Sequence, residues 1–211
     1  LEYEGRTLMY MILFDITKRR KAEAAEHDQR ILAEALRNTA AVLSSTLELD
    51  EVMDRILQEV QLVVPHERSS IMLIEGSMAR VVRSWAAESV PLDQTHRNTV
   101  FSVRNTPTLQ WMIVNRNPLI IPDVDAYPDW HHVGDEHRRW TKAYLGAPIR
   151  VGRYVIGFLN LDSHSLNRFN RVDAERLQSF ADQAAIAIRN ARLYDQVRVQ
   201  AVELEGRVIE R

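Results

Sequence analysis

The sequence predicts an α+β fold in which antiparallel hairpins pack against amphipathic helices, and three observations support this prediction. Two apolar runs, Ala147–Val151 and Tyr154–Leu161, flank the short turn at Gly152, a pattern typical of a β-hairpin. An earlier pair of apolar runs also flanks a turn that contains glycine. A long, alanine-rich amphipathic helix is predicted to follow Phe169.

The composition excludes several classes of function. The chain has 211 residues, a net charge of −2 and a pI near 6.4, so its overall charge does not favour nucleic acid or an anionic membrane. It has no cysteine, which excludes disulfides, thiolate metal sites and a cysteine nucleophile. No apolar run approaches the roughly 18 residues that cross a bilayer, and without a signal peptide we expect a cytoplasmic protein. Because the chain begins without methionine and ends within a predicted helix, we expect a fragment of a longer protein.

The first 17 residues predict a strand that leads into a helix. Residues Thr7–Phe14 are apolar and β-prone, and the motif Asp15-Ile16-Thr17 follows, with Thr17 as the expected N-cap. The strand, this motif and the basic helix after it resemble the closing strand and exit helix of a PAS domain. The resemblance implies that residues 1–17 end a truncated PAS domain. The alternative is a strand that belongs to the main sheet of this chain.

A linker helix over residues 18–45 and a second helix are predicted next. The linker has small or apolar residues at heptad spacing, which predicts a coiled coil interrupted by the polar Gln29 and Thr39; they are Ala22, Ala25, Leu32, Leu36 and Leu43. A break is expected near Ser44-Ser45-Thr46. Asp50 then caps a second helix with one apolar face, which Pro65 ends.

The middle of the chain alternates short strands with one helix. The predicted segments are the strands Ser69–Ile74, Ala79–Ala87, Val100–Val103 and Pro118–Pro122 and the helix Thr108–Val114. Prolines at both ends of Pro118–Pro122 favour an edge strand. Residues Asp123–Tyr144 are predicted to be irregular, because they are rich in Asp, His, Trp and Arg.

Taken in order, several short motifs from about Asn38 to Tyr194 resemble the landmarks of a GAF domain. They are SSIMLI, PLIIPDV, YPDW, LGAPIRV, VIGFLNLD and FADQAAIAIRNARLY. The resemblance implies a PAS-related central antiparallel sheet of about six strands flanked by helices, with long N- and C-terminal signalling helices. It implies a GAF domain over residues 46–194 and a coiled-coil output helix over residues 195–211.

In GAF-like domains the ligand lies between the sheet and an irregular covering segment, here Asp123–Trp140. The residues predicted to line such a pocket are Trp85, Trp111, Asp123, Trp130, His132, Trp140 and Tyr144. The alternative for each tryptophan is ordinary core packing. Polar side chains that could orient a ligand are Asp123, Arg150, Asn160 and Asp162. The strand pattern places Asn160 opposite Leu159 and Leu161, but it does not decide which face carries the pocket.

No cofactor or metal is predicted. His131, His132 and His137 lack the spacing of a metal site and do not single out an axial haem ligand, so a solvated loop is expected. Without cysteine a covalent bilin is excluded. The segment from Asn167 to Asp173 resembles part of the cyclic-nucleotide signature of some GAF domains, with Arg168 in place of lysine, so cyclic-nucleotide binding is an alternative. No catalytic motif is found, which predicts a non-catalytic segment.

The last helix is predicted to carry the output. Leu177, Phe180, Ala184, Ala187, Ala191 and Tyr194 follow heptad spacing and are predicted to pack on the sheet. Val197, Ala201, Leu204 and Val208 continue in a shifted frame, which predicts a stammer and a parallel homodimer through the terminal helices.

The expected function is a sensory and regulatory module of a bacterial signal-transduction protein. We expect the parent protein to be a sensor histidine kinase or a diguanylate cyclase, with an unidentified small molecule as ligand. The competing hypothesis is a dimerisation and relay module that binds no ligand.

Overall fold

The computed structural model describes residues 2–3, 6–7, 49–88, 90, 99–130 and 140–209, with side chains of the last helix given through Tyr194. Two short strands come first, β1 (Glu2–Tyr3) and β2 (Arg6–Thr7). The remaining elements are α1 (Leu49–Val63), β3 (Arg68–Glu75), β4 (Met78–Ala86), β5 (Val100–Ser102), α2 (Pro107–Asn115), β6 (Leu119–Ile121), β7 (Ala143–Val151), β8 (Tyr154–Ser163) and α3 (Arg171–Ile209). None of the helices in these ranges is long and apolar enough to cross a membrane.

Six strands form one antiparallel sheet in the order β5-β4-β3-β8-β7-β6. Both predicted hairpins are present, and each turn contains a glycine with positive φ, Gly76 at 63° and Gly152 at 58°. A left-handed backbone suits glycine because it has no Cβ to clash. The predicted antiparallel sheet of about six strands is therefore confirmed.

One face of the sheet packs against α1 and α3, and we call it the α1–α3 face. The helix α1 buries residues at three- and four-residue intervals, as predicted for an amphipathic helix; they are Val52, Met53, Ile56, Leu57, Val60 and Val63. The helix α3 contributes Leu177 and Phe180 and a row of small alanines, so it lies close to β7. Alternate strand residues such as Leu145 and Leu161 complete this core.

The opposite face of the sheet packs against α2, and we call it the α2 face. Its core is smaller and contains Leu109 and Met112 of α2 together with Tyr144 and Phe158 of the sheet. Val124, which follows β6, is also buried there. Because Leu159 and Leu161 lie on the α1–α3 face, Asn160 between them lies on the α2 face.

The structure corrects two predictions and leaves the N-terminal ones open. Tyr194, predicted to pack on the sheet, is 45% exposed, because the buried side of α3 ends at Ala191. The strand β7 begins at Ala143, four residues before the predicted Ala147 and inside the segment predicted to be irregular. It includes Pro148, which has no N–H, and this is tolerated because β6 pairs with β7 only as far as Gly146. Thr7 lies in β2, which pairs with β1 in a separate two-stranded sheet. Residues 8–14 and the helix predicted over 18–45 lie outside the described residues.

Candidate functional site

The α2 face carries a polar cluster whose positions follow from the register of β3, β8 and β7. Asp162 pairs with Arg68 on one side and with Tyr144 on the other. In the next row of the same face, Asn160 pairs with Ser70 and with Gly146. Side chains two residues apart point to the same face, so both rows lie on one surface. The polar cluster is therefore Arg68, Ser70, Tyr144, Asn160 and Asp162.

A glycine allows the Tyr144 side chain to connect the two rows. A Cβ at Gly146 would collide with the Tyr144 hydroxyl oxygen, so the tyrosine occupies the space that any side chain there would fill. The Tyr144 hydroxyl donates to Oδ1 of Asn160 at 2.6 Å, and the Asn160 amide donates to the Ser70 hydroxyl at 3.3 Å. The chain of hydrogen bonds thus crosses all three strands and fixes the Asn160 amide.

Burial shifts the ionisation of two groups in the polar cluster. It raises the pKa of Asp162 to about 7, and the nearby positive charge of Arg68 opposes part of this rise. Burial, with a smaller effect from the charge of Asp162, raises the pKa of the Tyr144 hydroxyl, which keeps its proton and acts as a donor. Near neutral pH the Asp162 carboxyl is present in both forms, so it can donate or accept a hydrogen bond.

Two tryptophans border the polar cluster. The ring of Trp130 lies 4.9 Å from that of Tyr144, and the Arg68 guanidinium lies 5.1 Å from the centre of the Trp140 ring. The structure therefore brings three of the predicted pocket residues, Trp130, Trp140 and Tyr144, to one place. Aromatic surface beside a few oriented polar groups is the usual character of a small-molecule site.

Other predicted pocket residues lie elsewhere. Trp85 packs against the core of the α1–α3 face, edge-on to His66 with 5.6 Å between ring centres, so it is separated from the polar cluster by the sheet. Trp111 lies on α2 with 38% of its surface exposed, while Leu109 and Met112 point to the sheet. Asp123 accepts the amide of Asp125 at 2.9 Å and so stabilises the turn after β6. His132 lies outside the described residues, as do His131 and His137.

Arg150 links two helices, whereas the sequence suggested it as a group to orient a ligand. Its guanidinium forms a two-pronged ion pair with Asp182 of α3 and donates to the carbonyl of Arg116, the C-cap of α2, at 2.8 Å. Gln178 donates to Asp182 at 3.0 Å and to the carbonyl of Pro148 at 3.0 Å. A β-bulge between Ile149 and Arg150 interrupts the alternation of the strand there, which a sequence pattern does not reveal. Arg150 thus connects the end of α2, on one face of the sheet, with α3, on the other face.

The segment that resembles a cyclic-nucleotide signature caps α3. Asn170 accepts the amides of Val172 and Asp173 at 2.7 and 3.1 Å, and the Asp173 carboxylate accepts the amide of Asn170 at 3.0 Å. This reciprocal pattern is a capping box, which satisfies amides that a helix start leaves free. Arg168 donates to the carbonyl of Pro65 at 2.6 Å. These residues therefore have structural partners at the start of the helix.

Two members of the polar cluster, Arg68 and Ser70, were missed from the sequence. They occupy alternate positions of β3 on the face opposite Ile71 and Leu73, but Met72 and Ile74 on the same face are apolar, so the strand pattern gave no clear signal for them. The described residues contain no group of three His, Asp or Glu side chains that could hold a metal ion.

Comparisons with known proteins indicate one family. A family model described as "GAF domain" matches residues 46–189, more than half of the chain. A relative from Chloroflexus aurantiacus, described as an uncharacterized sensor-like histidine kinase, is 25% identical over 180 residues, which cover 83% of this chain. This chain spans 29% of the length of that relative.

Solved structures share the fold at low sequence identity. The GAF domain of a phosphoenolpyruvate-protein phosphotransferase from Coxiella burnetii has a TM-score of 0.66 and 13% identity, over 78% of this chain and 96% of that chain. A free methionine-R-sulfoxide reductase from Neisseria meningitidis, solved with its substrate, has a TM-score of 0.63 and 16% identity, over 77% of this chain and 91% of that chain. At these identities the likeness shows the fold alone, and the fold is compatible with both regulation and catalysis.

Proposed function

The chain belongs to the GAF domain family, and from that premise we propose that it senses a small molecule within a signal-transduction protein. The ligand binds on the α2 face, against the polar cluster and between Trp130 and Trp140. The observation that carries this proposal is the hydrogen-bonded row from the buried Tyr144 and Asn160 to the half-buried Ser70, with the buried Asp162 beside it. Buried polar groups are costly when they lack partners, and a hydrogen-bonded network holds its members in fixed orientations, as a binding site requires.

The proposed ligand is small and carries both an apolar surface and hydrogen-bonding groups. Trp130 and Trp140 supply flat apolar surface, and the Ser70 hydroxyl and the Asp162 carboxyl supply groups that donate and accept. The irregular chain that contains Val124 and Trp130 would close over the ligand, since irregular segments adapt more easily than strands. Regulation is proposed in preference to catalysis, because the polar cluster lacks a nucleophile with an adjacent base.

The state of the site is proposed to reach α3 through Arg150. A ligand that displaces α2 would move the Arg116 carbonyl, to which Arg150 donates, and Arg150 holds Asp182 of α3. A ligand shifts such an equilibrium only by its differential affinity for the two arrangements. The sensor-like histidine kinase relative supports a kinase as the parent protein, and the preceding PAS domain and the cytoplasmic location stay predictions.

A matched pair of tryptophan variants tests the site. We expect Trp130→Ala to abolish the thermal stabilisation by a ligand, because Trp130 contacts Tyr144 in the polar cluster. Trp111→Ala should leave that stabilisation intact, because Trp111 lies on the outer side of α2. At a hundredfold excess over Kd, binding stabilises a protein by about 2.7 kcal/mol, which a thermal-shift assay measures readily.

The probes are a panel of free amino acids, methionine sulfoxide, nucleobases, cyclic AMP and cyclic GMP. Methionine sulfoxide is included because of the reductase that shares the fold. If no member of the panel stabilises the wild-type chain, the relay module without a ligand becomes the better hypothesis. If cyclic nucleotides alone stabilise it and Trp130→Ala has no effect, the site lies elsewhere.

A further inference from the structure

The carboxyl of Asp162 is buried without a hydrogen-bond partner. Only 9% of the residue is exposed, and its carboxyl forms no hydrogen bond or close ion pair with any residue that the structure describes. The positive charge of Arg68 attracts it, but burial has the larger effect. Buried carboxyl groups without partners are rare, because nothing offsets the loss of their hydration. The Asp162 carboxyl therefore has the capacity to bind a group that the described chain does not supply.

Asp162 lies on β8, between two different halves of the site. On the β3 side, the Arg68 guanidinium lies against the ring of Trp140. On the β7 side, the rings of Tyr144 and Trp130 are 4.9 Å apart and inclined to each other by 60°. The faces of aromatic rings attract cations, and the attraction increases where water is excluded. The β7 side thus combines aromatic surface with a carboxyl that has no partner.

The charges around the β7 side are mainly negative. The turn that carries Trp130 contains three carboxylates, Asp123, Asp125 and Asp129. Lys142, just before β7, is the one lysine or arginine among the described residues of this side, and it pairs with Asp125 at 2.8 Å. A positive group bound here would therefore meet a favourable potential.

The other elements near Asp162 do not change this balance. The helix α2 has no charged side chain. His164, two residues after Asp162, lies toward the β3 side, with its ring 6.1 Å from that of Trp140 and its Nδ1 atom 3.4 Å from the Glu67 carboxylate. The β7 side of the site is thus suited to a cation.

We propose that the ligand carries an amidinium or guanidinium group, which Asp162 binds on the β7 side between the rings of Trp130 and Tyr144. Such a group is flat and has two N–H donors that match the two oxygens of a carboxylate. Its positive charge would also keep Asp162 ionised, since an opposite charge nearby favours the charged form. This inference rests on the proposed sensing site and adds the chemical class of its ligand.

Benzamidinium tests the charge of the ligand, because benzamide and benzoate have nearly the same shape but are neutral and negative. We expect benzamidinium to raise the unfolding temperature of the 211-residue chain in a thermal-shift assay. Benzamide and benzoate should raise it less or not at all. A larger effect of benzamide or of benzoate than of benzamidinium overturns the proposal.

A matched pair of aspartate variants tests the residue. Asp162→Asn keeps the shape of the side chain and should weaken benzamidinium binding by about tenfold or more in calorimetry, because a charge-assisted hydrogen bond is lost. Asp123→Asn removes a carboxylate of the nearby turn, keeps an acceptor for the amide of Asp125, and should change the affinity by less than about twofold. Equal losses in the two variants would mean that negative charge in general attracts the probe, which contradicts the proposal.

The pH dependence of binding shows whether the Asp162 carboxylate itself holds the probe. Benzamidinium keeps its charge near neutral pH, whereas the pKa of Asp162 is about 7, so protons compete with the probe below that pH. The affinity of the wild type should fall between about pH 7 and about pH 5, by a factor that approaches tenfold per pH unit, and it should be constant above about pH 8. The Asp162→Asn variant should lack this fall. A flat curve for the wild type, or an equal slope for the variant, contradicts the proposal.

A failure of this inference can be distinguished from a failure of the sensing site. If a neutral or anionic compound stabilises the chain through Trp130 and benzamidinium does not, the site senses a ligand but the ligand is not a cation. If no compound stabilises the chain, both proposals are wrong.

Discussion

At the scale of single residues, Asp162 has the environment that most changes its chemistry. It lies between Arg68 and Tyr144 on neighbouring strands, and burial outweighs the attraction of Arg68, so the pKa of its carboxyl rises to about 7. The folded protein thus holds this proton more tightly than the unfolded chain does. The stabilising effect of the proton is fully present below about pH 4, near the unfolded pKa of aspartate, and it is lost as the pH rises to about 7.

The pH dependence of stability gives a prediction for Asp162. We expect the free energy of unfolding to fall between about pH 4 and about pH 7, by up to roughly 4 kcal/mol from this group. Asp162→Asn cannot titrate and should lack this fall. Denaturant unfolding of both proteins across that range measures the difference. The comparison also removes the effect of His66, whose pKa burial lowers and which would destabilise the fold as the pH falls. Parallel curves for the two proteins would show that Asp162 is charged at about pH 5.

The contact between Gly146 and Tyr144 gives a second prediction. Gly146→Ala should destabilise the protein by about 1–3 kcal/mol, because the new Cβ would meet the Tyr144 hydroxyl and displace it from Asn160. In a Tyr144→Ala background the same substitution should cost clearly less, since the ring is gone. A double-mutant cycle of unfolding free energies measures this coupling. Costs that simply add would mean that another neighbour, such as Met112, opposes the alanine.

At the scale of elements, the Arg150 bridge holds three segments at the edge of the sheet. The guanidinium contacts Asp182 of α3 and the carbonyl of Arg116, while the Arg116 side chain donates to the carbonyl of Gly152 in the hairpin turn at 2.5 Å. A lysine has one ammonium in place of the planar fork and cannot form all of these bonds at once.

Conservative replacement of Arg150 therefore separates its charge from its geometry. Arg150→Lys should lower the free energy of unfolding by about 1 kcal/mol or less, because the pair is partly exposed. It should also increase hydrogen exchange at the Arg116 amide, which bonds the carbonyl of Met112 at the end of α2. Arg153→Lys, in the exposed turn nearby, is the matched control and should change neither. Unchanged exchange at Arg116 would show that Arg150 does not hold α2.

The elements were predictable from the sequence because their patterns are local. The glycines at 76 and 152 and the apolar spacing of α1 predict two hairpins and a helix without knowledge of their partners. The start of β7 could not be predicted from the sequence, because Ala143 and Tyr144 belong to a strand only through their pairing with β6 and β8. The face of the sheet on which a side chain lies could not be predicted either. Trp85 and Tyr144 were equal pocket candidates in the sequence, but they lie on opposite faces.

At the scale of the whole molecule, the polar cluster and α3 lie on opposite faces of one sheet. The polar cluster occupies the α2 face, and α3 covers the other face. Tyr144 was predicted for the site, whereas Arg68 and Ser70 were missed, because their positions in the cluster depend on pairing with β8, about 90 residues later. The sequence likewise could not separate the inner and outer sides of α3, since the burial of Ala191 beside the exposed Leu193 is decided by the sheet.

The uninterrupted length of α3 makes it a lever. Its 39 residues form one continuous helix. The part as far as Ala191 is held by the core, and we call the part from Ala191 to Ile209 the arm. At about 1.5 Å per residue, the arm from Ala191 to Ile209 is about 27 Å long. A tilt of about 10° at Ala191 would displace the Ile209 end of the arm by about 5 Å, close to the rise of one helical turn. A change of direction as small as a side-chain rearrangement could cause inside the domain would thus displace the last described turn of α3 by several ångströms.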